Sequence, residues 1–141
     1  MIIRNATIEN VHVDVNYALN EGIAMLSNIV VDTTFKNCTF VGTTKQTDTF
    51  GLINYIQGST TNFTDCYFIS TAKIGQKWID GGWKVCDASN QTATYTIAGI
   101  KRYENAAAME EAEVNNAFTS FAESGYWTVE TGKVPVWKTK A

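Results

Sequence analysis

Proline is nearly missing from this chain of 141 residues; Pro135 is the only one. A strand-rich protein needs its backbone donors, so the scarcity suits stacked strands better than a loop-rich chain. Histidine is equally scarce. His12 stands alone, so neither a histidine-based catalytic relay nor a zinc centre can be assembled around a second imidazole. Three cysteines, Cys38, Cys66 and Cys86, are an odd set without Cys-x-x-Cys spacing, which argues against both a disulfide framework and a metal knuckle. Charged residues are only 18% of the chain and the net charge is −3, which leaves no basic footprint for nucleic acid or for an anionic membrane surface. No run of about 18 apolar residues exists to cross a membrane. Residues 1–20 also lack the basic start and apolar centre of a signal peptide.

What is present is a repeat. The pattern apolar-x-Asn/Asp-apolar-x-apolar occurs as Ile8-Glu9-Asn10-Val11-His12-Val13, Phe35-Lys36-Asn37-Cys38-Thr39-Phe40 and Phe63-Thr64-Asp65-Cys66-Tyr67-Phe68, in steps of 27 and 28 residues. A second element, Gly22-Ile23-Ala24-Met25-Leu26 and Gly51-Leu52-Ile53-Asn54-Tyr55, recurs 29 residues apart in the same frame. In one flat strand, motif positions one and four would face opposite ways, so a bend must intervene. Asn10, Asn37 and Asp65 fit that corner because Asn and Asp tolerate the left-handed backbone region. Short strands joined by such corners predict an all-β protein, a right-handed parallel β-helix or solenoid with a C-terminal helix-plus-hairpin cap. In stacked coils Cys38 and Cys66 lie about one strand spacing apart, roughly 4.8 Å, and read as reduced, inward-facing small hydrophobes.

Residues 1–100 are assigned to the coils, with an insertion at about 72–84, and residues 101–141 to the cap, all within one structural unit. Asn105 before Ala106-Ala107-Ala108-Met109-Glu110-Glu111 reads as an N-cap and helix start reaching about Asn115. Val114, Phe118 and Phe121 share a helical stripe, and Trp127-Thr128-Val129 with Val134-Pro135-Val136-Trp137 reads as a hairpin around Glu130-Thr131-Gly132-Lys133. Such a terminal unit is expected to cover the last open coil. At the other end the chain starts in mid-coil, which predicts upstream repeats of the same chain.

Gly51-Leu52-Ile53-Asn54-Tyr55 through Gly58 to Phe63-Thr64-Asp65-Cys66-Tyr67-Phe68 resembles the GLUG-type repeats of large secreted bacterial surface proteins. Residues Arg102-Tyr103 to Trp137 are similar to C-terminal ends of such regions. Ser70 stands where those repeats often carry glycine. The resemblance implies an extracellular or cell-surface, non-catalytic β-helix, and it brings no catalytic residues, metal or cofactor.

Acidic residues Asp14, Asp32, Asp48, Asp65, Asp80 and Asp87 are scattered, so no acid pair is apparent. The tryptophans are more informative. Trp78 and Trp83 lie in the insertion with Lys77 and Asp80 beside them, and these four residues are the candidate ligand-binding set. An exposed indole can stack on a sugar ring, whereas an inward one would plug the core end; the plug is the stronger reading for Trp83, and the two are balanced for Trp78. Trp127 and Trp137 are expected on the cap helix. The expected function is structural and adhesive, with a glycan or host matrix as partner. The alternatives are a carbohydrate-active enzyme fragment, a lyase or hydrolase, and a phage fibre or tailspike segment.

Overall fold

The computed structural model describes residues 1–19, 24–44 and 51–138, so Gly22, Ile23 and Asp48 lie outside the described residues. The first sheet contains β1 (Ile2–Arg4), β4 (Ser27–Val31) and β7 (Ile53–Gln57) in parallel; the second contains β2 (Thr7–Glu9), β5 (Thr34–Lys36) and β8 (Asn62–Thr64). The third stacks β3 (His12–Leu19), β6 (Thr39–Thr44), β9 (Cys66–Ile69) and β13 (Ile100–Tyr103). The repeat spacing therefore appears as strand register. Ile8 pairs with Phe35 and Phe35 with Phe63, and the two phenyl rings stack at 4.9 Å and 10°. Val13, Phe40 and Phe68 form the neighbouring column, both phenylalanines fully buried.

Corners explain why the motif breaks where it does. Asn10, Asn37 and Asp65 all have left-handed backbone, with φ of 57°, 51° and 51°. A second ladder was not evident in the sequence: Asn5 (φ 49°), Asp32 (φ 45°) and Gly58 (φ 78°) turn the chain between the first and second sheets. Its last rung has no side chain because a Cβ at Gly58 would collide with the Asp32 carboxylate. That carboxylate accepts bonds from the Thr60 N–H (3.1 Å) and hydroxyl (3.0 Å), which hold its pKa below the ordinary value.

The expectation of a single right-handed β-helix with a helix-plus-hairpin cap is not met. Among the described residues the strands divide into several separate parallel sheets and a mixed one, and no closed solenoid is traced. After β7 the parallel order is interrupted, because β10 (Gly75–Ile79) joins β7 in parallel but turns straight back as antiparallel β11 (Gly82–Ala88), followed by β12 (Thr96–Ile97). The segment read as a looser insertion is thus a hairpin.

The C-terminal part also differs from the expected cap. It contains two short helices, α1 (Ala106–Ala112) and α2 (Thr119–Ser124), and the antiparallel pair β14 (Trp127–Thr128) and β15 (Val136–Trp137). Instead of closing an open end, it lies along the outer side of the third sheet. Tyr67 and Ile69 of β9 are buried there with Met109, Phe118, Phe121 and Trp127. The physical reason is the apolar outward face of β9, which needs cover from water. Phe118 and Phe121 do not share a helix with Val114, which is exposed; the chain breaks after α1 and restarts.

Polar groups fasten this side segment. Trp127 donates its indole N–H to Asn10 Oδ1 (3.1 Å), and Asn37 exchanges bonds with Ser120, donating to its carbonyl (3.2 Å) and accepting from its hydroxyl (2.7 Å). Glu113, nearly buried, accepts from the Tyr103 hydroxyl (2.6 Å), Asn116 (3.0 Å) and Lys101 (3.0 Å). Burial pushes the Glu113 carboxyl up, and these three donors outweigh it, leaving its pKa below the usual value. Nearby, Arg102 grips Asp87 through two 2.8 Å bonds and donates a third to the Ser70 carbonyl, tying β13 to β11 and β9.

Candidate functional site

The hairpin β10–β11 turns through Asp80 (φ 49°) and Gly81 (φ 79°), a two-residue loop of the kind that requires positive φ at both positions. Ile79 and Gly82 close that loop, and Trp78 faces Trp83 in the next pair, where opposing side chains approach most closely. The indoles meet edge to face at 5.5 Å and 80°. Trp83 also meets Tyr55 of β7, at 5.0 Å and 63°. Three aromatic rings thus form one cluster on the outer face of the first sheet.

Neither tryptophan plugs the core. Trp78 is 58% exposed and Trp83 41%, and Val85 on the same face is 40% exposed. Strand register extends this surface across the sheet: Ile2, Ile29, Tyr55, Gln76 and Val85 occupy one row across β1, β4, β7, β10 and β11. An exposed apolar row contrasts with the third sheet, whose outward Tyr67 and Ile69 are covered by the side segment.

Of the four residues singled out from sequence, Trp78 and Trp83 come together and Asp80 forms the adjoining turn. Lys77 does not join them. Strand alternation puts Lys77 opposite Lys84 on the other face, where with Cys86, Ile79, Thr61 and Tyr95 it lines a separate groove of about 480 Å³. Burial pushes the Cys86 thiol up, with the Lys77 ammonium opposing. Tyr55 was missed because its partner Trp83 lies 28 residues away and meets it only through register. The signal that could have revealed the site was Asp80-Gly81 between alternating residues, the strongest short hairpin signature.

Among the described residues no three His, Cys, Asp or Glu side chains gather as metal ligands, and no helix is long and apolar enough to cross a membrane. Cys38, Cys66 and Cys86 are buried free thiols. The His12 imidazole is taken up by the Thr39 hydroxyl at 2.6 Å. With this geometry in hand, comparison with known proteins yields no matching protein-family model, no matching curated protein and no matching solved structure.

Proposed function

We propose that this chain is a non-catalytic recognition segment of an extracellular or cell-surface bacterial protein, and that it holds a glycan on the Trp78–Trp83 face of the β10–β11 hairpin. The observation that carries the reading is a pair of large, rigid, solvent-facing indoles placed where no core needs them. Size selects the class of ligand. With about 250 Å² per indole, exposures of 58% and 41% leave roughly 250 Å² of aromatic surface. A specific protein partner covers about 800 Å² on each side. The patch is therefore too small for a protein and matches one or two sugar rings, whose apolar C–H faces lie against indole faces. Gln76 and the Asp80 side chain stand beside the rings and supply hydrogen-bonding groups for hydroxyls.

A glycan array probed with the purified chain tests this reading. Binding confined to a small set of oligosaccharides, and lost on Trp83→Ala, is expected. Absence of binding to every glycan would leave the hairpin without a ligand and sink the proposal.

A further inference from the structure

We propose that the N-terminal end of the stack is an interface for a second copy of this chain, joined by β-strand pairing about a two-fold axis. The observation is that β1, β2 and β3 are each the terminal strand of a different sheet, all at the same end of the molecule. Their inward residues Ile3, Ile8 and Val13 are only partly buried, unlike Phe35 and Phe40 one repeat further in. Neither proline nor a bulge protects the edges between Ile2 and Asp14; the one register irregularity in β3 comes after Val15.

Hydrogen-bond phase decides what can pair with these edges, because a strand residue presents its N–H and C=O to the same side. In β1, Met1 O accepts from Ile29 and the Asn5 N–H donates to Val31, so residues 1, 3 and 5 face β4 while Ile2 and Arg4 face outward. In β2, Ala6 O accepts from Thr34 and the Asn10 N–H donates to Lys36, which leaves Thr7 and Glu9 outward. In β3, Val11 O accepts from Thr39, which leaves His12 and Asp14 outward.

A two-fold axis normal to the first sheet, passing through Ile3 and the corner between Asn10 and Val11, matches this phase on all three edges. It sets Ile2 against Arg4 of the second copy, Glu9 against its His12 and Thr7 against its Asp14. Every one of these residues has outward backbone groups, giving about a dozen inter-chain hydrogen bonds. The same operation sets Ile3 against Ile3, and Ile8 against Val13, so the half-covered core columns become continuous. It also brings a carboxylate to an imidazole at each Glu9–His12 pair. Self-complementarity of this kind under one rotation is what an isologous dimer requires, and it names a second copy as the occupant. Both first sheets would then face the same way, with their hairpins about eight strand spacings apart, roughly 38 Å. That last corollary alone rests on the glycan reading, to which it would add bivalence.

Sedimentation and light scattering of the full chain test the dimer. The expected mass is twice 15.6 kDa, falling to the single-chain value in Glu9→Arg and in Thr7→Pro, whose lost N–H serves no internal bond. Far-ultraviolet circular dichroism should match the parent in both. A third variant, Ile3→Cys, should give a disulfide-linked dimer on mild oxidation, because directly opposed non-hydrogen-bonded residues lie about 4.5 Å apart, within disulfide range. A single-chain mass up to about 100 µM, or a dimer that survives Glu9→Arg and gives no Ile3→Cys cross-link, would overturn the proposal.

Discussion

Asn37 shows how one residue can fix both the path of the chain and the place of a distant segment. Its backbone is left-handed at the corner, and its side chain holds Ser120, which is 83 residues away in sequence. Asn37→Ala should therefore lose twice, once to left-handed strain and once to broken hydrogen bonds, about 2–4 kcal/mol together. Asn37→Gly keeps the backbone freedom and should recover about 1 kcal/mol of that loss. Urea titration separates the two, and equal losses would show that the corner conformation is not what the asparagine supplies. Phe35 makes a purely apolar counterpart, fully buried, stacked on Phe63 and edge-on to Phe40. Its replacement by Ala should cost about 3–5 kcal/mol; less than about 1 kcal/mol in the same titration would mean the column does not carry the core.

At the level of elements, the side segment hangs on ionisable groups and should respond to pH. Glu113 has a lowered folded pKa, so its contribution is present above the ordinary carboxylate value and is lost as pH falls through the folded one. Tyr67 runs the other way: burial, with help from the Glu113 charge, pushes its hydroxyl up to about 12. Its contribution persists below the ordinary value of 10.0 and fades as pH rises from there to about 12. Near-ultraviolet circular dichroism of the buried Trp127 should accordingly weaken below about pH 4 and above pH 10. In Glu113→Gln the acid limb should flatten, and an unchanged acid limb would refute the assignment. The elements also show what was legible beforehand. The 27- and 28-residue spacing disclosed the columns because every copy repeats the same inward aromatics and left-handed corner. The fold drawn from that spacing overreached, because a periodic core says nothing of where the period stops. Nothing local in Tyr67 or Ile69 reveals that their outward face will be covered from the side by Phe118, Phe121 and Trp127. Asp80-Gly81 did announce its hairpin, and the glycine-rich surroundings obscured it.

For the molecule as a whole, the two outer faces divide the labour. The third sheet spends its apolar face on the protein's own C-terminal segment, while the first sheet leaves Tyr55, Trp78, Trp83 and Val85 facing water. Covering one face stabilises the fold; leaving the other open makes recognition its natural use. Trp78 is the most exposed of the indoles in the cluster and touches the rest of the protein only through Trp83 and the hairpin backbone. The most direct test is a calorimetric titration of the best array oligosaccharide into the parent chain and into Trp78→Ala, with the melting temperature of each recorded alongside. The account predicts binding weakened by about 1–2 kcal/mol, roughly five- to thirty-fold, with a nearly unchanged melting temperature. Unaltered affinity accompanied by a large drop in melting temperature would contradict it, and would make the tryptophan pair a structural clasp on the hairpin.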